Sequence, residues 1–139
     1  MKRHTTRAAA LLAALALCGA SALAQQQQRE ELAPGFNACM EQSGGVTPKM
    51  VDCGRAAYEF WDKQLNVEYK KARQACENDA CRQKLRDMQR HWIKYKEAMS
   101  SILFQGLDSG GGSLNRVDAA IFEAEETKKQ TGLLRDLLH

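Results

Sequence analysis

Cysteine side chains offer the clearest pattern of reactive groups in this sequence. Four of them follow the N-terminal region, at Cys39, Cys53, Cys76 and Cys81. Their spacing gives no pair of C-x-x-C motifs, which typify zinc sites, and no C-x-x-C-H motif, which attaches haem. Zinc is therefore the less favoured alternative, and we expect no metal and no cofactor. An even number of cysteines in an exported chain indicates two disulfide bonds.

Candidate catalytic side chains are few. His91 is a lone histidine in a predicted helix among basic residues, which is more typical of a surface residue than of a general base. Glu59 and Asp62 are one helical turn apart, and paired carboxylates can cleave glycosidic bonds. Without a cleft such a pair is more typical of a solvated or salt-bridged face. The sequence has no G-x-S-x-G, P-loop or H-E-x-x-H motif, so we predict no enzyme and no catalytic residue.

Residues 1–24 predict a secretory signal peptide. Basic residues precede an apolar run from Ala8 to Leu17 that is too short to span a bilayer, and cleavage is expected after Ala24. The alternatives are an uncleaved anchor helix and a lipoprotein modified at Cys18. Cleavage removes three basic residues and leaves 17 basic and 17 acidic ones, so the net charge of +3 belongs to the precursor. We expect a periplasmic or secreted protein that has no stable membrane span and binds no nucleic acid.

Apolar residues recur every three or four positions over two stretches, which predicts two amphipathic helices. We place the first at residues 48–77, with Thr47 as its cap and Pro48 at its first position. A turn at residues 77–80 then makes the two helices an antiparallel hairpin. The first stripe is Tyr58, Trp61, Leu65, Tyr69, Ala72 and Cys76, and the second is Cys81, Leu85, Met88, Trp92, Tyr95, Met99 and Ile102. The expected pairs across the hairpin are Leu65 with Trp92, Tyr69 with Met88, and Asp62 with Lys96 as an ion pair.

Helical geometry chooses among the three cysteine pairings. Cys53 and Cys76 would lie about 34 Å apart on one helix, whereas a disulfide needs Cα atoms within about 7 Å. Cys81 follows Cys76 across the turn, so pairing it with Cys53 fails for the same reason. We therefore predict the bonds Cys39–Cys53 and Cys76–Cys81, and the second requires the chain to turn between its two cysteines.

Turn-forming residues divide the remaining chain. Residues 25–35 are polar and rich in glutamine, and we predict that they are disordered. A short helix is expected at residues 36–42, a glycine-rich linker at 105–113, and a C-terminal helix at 114–139 whose last turns are weakened by Gly132. Because no alternating strand pattern occurs, the predicted fold is all-α: an antiparallel helical hairpin with a short N-terminal helix and a C-terminal helix, stabilised by disulfides.

Several motifs at fixed spacing cover residues 36–104. Cys39, Thr47, Met50 and Cys53 match a C…T…M…C segment. Residues 62–69 read DKQLNVEY, against D-x-x-L-N-x-x-Y, and residues 85–98 read LRDMQRHWIKYKEA, against L-x-x-x-Q-x-x-W-x-x-[YF]-R-D-A. These motifs resemble the lysozyme inhibitor LprI-like N-terminal domain family. The motif residues assigned to the hairpin core are Trp61, Asp62, Leu65, Asn66, Tyr69, Leu85, Gln89, Trp92, Tyr95 and Lys96.

The resemblance implies an exported, all-helical protein-binding domain, in a family named after the inhibition of lysozyme by one member. The chain departs from the family at Ser100 and Phe122, which stand where the family has cysteines. The resemblance therefore implies that no covalent bond ties the last helix to the hairpin, and it puts the docking of that helix in doubt.

We expect a non-enzymatic binding protein whose partner is a protein, with a lysozyme-like muramidase as the leading candidate. A rigid loop that enters the substrate cleft loses little entropy on binding. The candidate loop residues are Ser43, Gly44, Gly45, Val46 and Thr47 in the first loop and Ser109, Gly110, Gly111, Gly112 and Ser113 in the second. The alternative is an envelope accessory protein that binds another envelope protein or a membrane surface through a basic helix face. That face comprises Arg82, Lys84, Arg86, Arg90, Lys94 and Lys96.

Overall fold

The computed structural model describes residues 31–106 and 112–138, and within these ranges it contains four α-helices and no strand. They are α1 (Phe36–Gln42), α2 (Thr47–Ala75), α3 (Asp79–Gln105) and α4 (Ser113–Asp136). The predicted all-α fold is confirmed. The predicted signal peptide and residues 25–30 lie outside the described residues.

Local sequence sets where α1 and α2 begin and end. Gly35 precedes α1 with a φ of 81°, a conformation that glycine adopts without steric cost. Pro48 lies in the first turn of α2, as predicted. Thr47 is itself the first helical residue, and Val46 occupies the capping position with extended backbone and no side-chain cap hydrogen bond. The prediction that Thr47 caps α2 is therefore wrong by one position.

The C-terminal helix packs along α2, and this is the most extensive interface between helices. Small residues allow the two helices to approach closely. A Cβ atom added at Gly54 would lie only 2.8 Å from the Cβ of Ala120, so only glycine fits at this position. Farther along, Arg135 on α4 lies 3.7 Å from the buried carboxylate of Glu68 on α2. Gly54 precedes Glu68 along α2, and their partners Ala120 and Arg135 occur in the same order along α4. The two helices are therefore parallel. The doubt about the docking of α4 is therefore removed, since α4 packs against both α2 and α3.

One polar and one aromatic contact fasten α4 to α3 at Ser100 and Phe122, the two positions where the resemblance implied cysteines. The hydroxyl of Ser100 donates to Oε1 of Glu123 at 2.6 Å, and the rings of Tyr95 and Phe122 meet edge to face at 6.4 Å. Tyr95 is half exposed rather than turned toward α2 as its stripe predicts. These noncovalent contacts hold α4 at the positions where the sequence lacks the cysteine pair.

Two hydrophobic clusters form the core. The first lies near the hairpin turn and joins α2, α3 and α4, and the second lies near α1. The buried members of the first are Leu65, Ala72, Leu85 and Leu134, with Tyr69, Met88, Trp92 and Leu138 packed against them. The buried members of the second are Ala33, Ala57 and Ala124, with Leu32, Phe36, Tyr58, Phe60 and Trp61 around them.

Direct contact between α2 and α3 is sparse, which corrects the predicted packing of the hairpin. Leu65 and Trp92 do share one cluster, but Leu134 of α4 joins it and is fully buried there. The two stripes therefore pack largely against a third helix instead of against each other. A groove stays open between α2 and α3.

The segment before α1 contributes to the core. Ala33 is buried, and the carbonyl of Leu32 accepts a hydrogen bond of 2.6 Å from the indole of Trp61. The prediction of disorder is therefore wrong for residues 32 and 33. Their apolar side chains find partners in the second hydrophobic cluster, which composition alone did not reveal.

Candidate functional site

A disulfide bond fixes the turn between α1 and α2. Cys39 and Cys53 are bonded as predicted, with Cα atoms 5.8 Å apart. Between them, the buried hydroxyl of Ser43 donates to the carbonyl of Met40 at 2.7 Å and accepts from the amide of Gly45 at 3.2 Å. Backbone hydrogen bonds from Ser43 and Val46 complete the turn. The loop is therefore held rigidly by covalent and polar contacts on its inner side.

The outer side of this loop is open to solvent. Gly44 and Gly45 have φ values of 59° and 76°, which favour glycine, and no atom lies within 4 Å of a Cβ built on either. Val46 follows them with 46% of its surface exposed. Two glycines and one apolar side chain thus form the projecting tip of a rigid turn.

The last two residues of the second predicted loop lie at the same end of the molecule. Thr47 begins α2 seven residues before Gly54, and Ser113 begins α4 seven residues before Ala120. Because Gly54 and Ala120 are in contact, both helix starts lie about 10 Å beyond that contact. Gly112 and Ser113 are exposed there, whereas Ser109, Gly110 and Gly111 lie outside the described residues.

A cavity of about 540 Å³ lies between the helices at this end. Arg55 and Arg116 line it from α2 and α4, together with Phe104 near the end of α3. The guanidinium of Arg116 lies 5.8 Å from the centre of the Phe104 ring, and Arg55 makes an exposed 3.4 Å ion pair with Asp52. We call this region the loop end: residues 43–46, the start of α4 and the cavity with its two arginines.

A groove of about 410 Å³ runs between α2 and α3. Most of the residues predicted to form the hairpin core line this groove rather than filling a closed interior. The predicted core residues that line the groove are Asp62, Leu65, Asn66, Tyr69, Gln89, Trp92 and Lys96. The other lining residues are Tyr58, Arg86, Arg90, Ile93 and Glu97. Leu85 is buried in the first cluster and Trp61 packs in the second.

Lys96 is buried against aromatic rings. Its ammonium lies 4.4 Å from the ring centre of Tyr58 and 5.2 Å from that of Trp92, which is cation–π geometry. Burial lowers the pKa of Lys96, while the charges of Glu123 and Asp62 oppose that shift. Burial likewise raises the pKa of the Tyr58 hydroxyl. The predicted Asp62–Lys96 ion pair is wrong, since no salt bridge joins the two residues within the described chain.

The opposite end of the hairpin is closed by the second disulfide. Cys76 and Cys81 are bonded as predicted, with Cα atoms 5.5 Å apart. The side chain of Asn78 caps α3 by accepting from the amide of Cys81 at 2.9 Å. Arg82 donates to the carbonyl of Cys76 at 2.8 Å and pairs with Asp79. Arg82 is therefore occupied in closing the turn.

The predicted basic face of α3 is smaller than the sequence indicates. Lys96 is buried and Arg82 is bound at the turn, which leaves Lys84, Arg86, Arg90 and Lys94 exposed. His91 and Glu59 are exposed as well, and no group of metal-ligating side chains occurs in residues 31–106 or 112–138. Among the helices of these same ranges, none is long and apolar enough to cross a membrane.

Comparison with family models identifies the chain. The model of the family described as lysozyme inhibitor LprI matches residues 39–134, which is most of the sequence. The chain belongs to the LprI family. The match includes α4 as well as the hairpin, in agreement with the docked position of α4. Neither curated proteins nor solved structures give a significant match to it.

Sequence reasoning missed two features of this LprI-family chain. Small residues at Gly54, Ala57, Ala120 and Ala124 have the spacing that a close helix pair requires, and this signal could have predicted the docking of α4. No sequence pattern indicated that Arg55 and Arg116 line the same cavity, because their proximity depends on the docking of α4 against α2.

Proposed function

We propose that this protein is an exported, non-enzymatic inhibitor of lysozyme-type muramidases and that it binds the enzyme through the loop end. Membership of the LprI family supports inhibition, and the two disulfides suit an oxidising compartment outside the cytoplasm. The observation that carries the proposed binding surface is the rigid turn with its exposed tip at Gly44, Gly45 and Val46.

A rigid tip is suited to entering a narrow substrate cleft. The Cys39–Cys53 bond and the hydrogen bonds of Ser43 order the turn before binding, so little conformational entropy is lost on association. The glycines add no bulk, and Val46 adds apolar surface that the partner can bury.

The arginines of the cavity at the loop end complement the chemistry of the target. Muramidases of the lysozyme type place carboxyl groups on both sides of the scissile bond. Arg55 and Arg116 line this cavity together with Glu123, at the same end as the rigid tip. Arg55 already pairs with Asp52, whereas Arg116 forms no ion pair within the described residues, so the charge of Arg116 suits such carboxylates best. This local complementarity does not require a charged protein overall, which is consistent with the balanced charge of the chain after predicted cleavage.

A dose–response of the oxidised, exported protein against lysozyme hydrolysis of cell wall tests the proposal. Val46→Asp places a charge at the tip without straining the backbone, and aspartate is a favourable residue before a helix. We expect it to weaken inhibition about tenfold or more, because the charge must lose its hydration in the interface. Val67→Asp is the matched control, since Val67 on α2 is 48% exposed and lies away from the loop end.

Salt dependence separates the contributions of tip and cavity. Arg116→Glu should weaken inhibition most at low salt, whereas the effect of Val46→Asp should persist when salt screens surface charges. Equal inhibition by the Val46→Asp and Val67→Asp proteins would contradict binding through the tip. Absence of inhibition by the unmodified protein across C-type and G-type lysozymes would contradict the proposed function, and binding to other envelope components through α3 would then be tested.

A further inference from the structure

We propose that the groove between α2 and α3 is a binding site for a short oligosaccharide. The family motifs concentrate in this groove, whereas the proposed inhibitory surface lies at the loop end. Inhibition of lysozyme therefore leaves these residues without a role other than packing. Their side-chain chemistry points to a ligand.

Polar groups without protein partners face this groove. The indole N–H of Trp92, the hydroxyls of Tyr58 and Tyr69, and the guanidinium of Arg90 have no hydrogen-bond partner in the described part of the chain. Trp61, outside the groove, instead donates its indole N–H to the carbonyl of Leu32. The groove therefore offers several donors and acceptors that a polyhydroxylated ligand can satisfy.

Aromatic side chains supply the apolar half of such a site. Tyr58, Tyr69 and Trp92 line the groove and are each partly exposed, and Leu65 also lines it. The ammonium of Lys96 lies against the rings of Tyr58 and Trp92, so a sugar ring would contact the parts of these rings that Lys96 leaves exposed. Sugar rings carry hydroxyl groups at their edges and C–H groups on their faces, so they suit a surface that alternates aromatic rings with hydrogen-bonding groups.

The dimensions and charge of the groove favour this ligand class over others. Tyr58 and Tyr69 are eleven residues apart on α2, a length of about 16 Å, which accommodates about three linked sugar rings. Basic residues there face the acidic Asp62 and Glu97, so no single charge dominates as a polyanion would require. The polar lining also differs from the apolar groove that an amphipathic helix needs.

Nuclear magnetic resonance of the indole groups gives a direct test. The chain has two tryptophans, so its indole N–H region contains one signal from the groove and one from outside it. Titration of the full oxidised protein with the trimer of β-1,4-linked N-acetylglucosamine should shift the Trp92 signal and leave the Trp61 signal in place. The trimers of β-1,4-linked glucose and of α-1,4-linked glucose show whether the acetamido group or the linkage decides recognition.

Conservative variants distinguish binding from a structural role. Tyr69→Phe removes only the hydroxyl, and Asn66→Ala removes an exposed amide, so both proteins should remain folded. Each should weaken trimer binding about fivefold. The controls are Tyr95→Phe on α3 and Gln74→Ala on α2, since neither residue lines the groove.

Absence of a Trp92 shift with every trimer at about 10 mM would overturn the proposal. Equal shifts of both indole signals, or equal loss of binding in the groove variants and their controls, would overturn it as well. Because binding is measured without lysozyme, failure of the proposed inhibition would leave this test unaffected.

Discussion

The two long faces of α2 are built on opposite principles. Toward the first half of α4, the residues at Gly54 and Ala57 are small, and the backbones approach until a Cβ at Gly54 would collide with Ala120. Toward α3 the residues are large, aromatic or charged, and the helices stay apart around Tyr69, Trp92 and Lys96. One face stabilises the fold by close packing, whereas the other maintains a lined opening.

The two faces of α2 therefore have different roles, although the sequence pattern of each is that of an amphipathic helix. A close helix pair tolerates little change in volume, because packed interiors have few voids. A groove tolerates changes in side chains that already contact solvent. Four substitutions test this contrast, from the most to the least damaging.

Gly54→Leu should cause the largest loss. The new Cβ alone would lie 2.8 Å from the Cβ of Ala120 and 3.1 Å from its backbone, so α4 must move away from α2. We expect destabilisation of about 3 kcal/mol or more, measured as the free energy of unfolding in urea. Gly132→Leu is the control, because no atom lies within 4 Å of its Cβ and the helix gains propensity. Equal stability of the two variants would refute close packing at Gly54.

Leu134→Ala should also be severe. Leu134 is fully buried where α2, α3 and α4 meet, and its truncation leaves a cavity. We expect a cost of about 2–5 kcal/mol in thermal or urea unfolding. Leu133→Ala provides the comparison at the neighbouring position, which is 60% exposed and should lose less than about 1 kcal/mol. A small effect of Leu134→Ala would mean that α4 contributes little to the core.

Ser100→Ala should have a moderate effect. It removes the 2.6 Å hydrogen bond from Ser100 to Glu123, which joins α3 and α4. We expect about 1 kcal/mol of destabilisation by urea unfolding. Ser101→Ala, at an exposed position on the same helix, should lie within about 0.5 kcal/mol of the unmodified protein. Identical results for both variants would show that this bond does not support docking.

Lys96→Met should change stability least and should alter its pH dependence. Burial holds the pKa of Lys96 in the folded protein below its ordinary value of 10.5, so the unfolded chain binds more protons between these two values. Stability should therefore rise as pH increases through that window, and the rise should be absent in Lys96→Met. Urea unfolding below about pH 10, with Lys94→Met as the exposed control, measures the difference before Tyr58 titrates. The same slope in both proteins would contradict a depressed pKa.

Sequence periodicity predicted the helices and both disulfides because these features depend on local geometry. A distance along one helix was enough to exclude Cys53–Cys76, and the observed bonds agree. The docking of α4 was not predicted, because Ser100 and Phe122 stand where the resemblance implied cysteines and no disulfide bond could be expected there. Packing of small residues supplies that docking without a covalent bond.

The candidate sites were predictable to different degrees. The rigid turn at residues 43–46 followed from its glycines and flanking cysteines. The groove could not be predicted, since Asp62 and Lys96 were assigned to a closed interface, whereas α2 and α3 contact each other sparsely and both pack against α4. A hydrophobic stripe indicates that one face of a helix is buried, but it does not identify the helix that packs against that face.

The order of the cysteine bonds has a consequence for oxidative folding. Each bond joins cysteines that are neighbours in the sequence, 14 and 5 residues apart. Short loops close with a small entropic cost, so each cysteine has its native partner close by while the rest of the chain is still unfolded. An oxidase that joins consecutive cysteines from Cys39 onward would produce both native bonds directly. Correct oxidation would then need no later reshuffling by an isomerase.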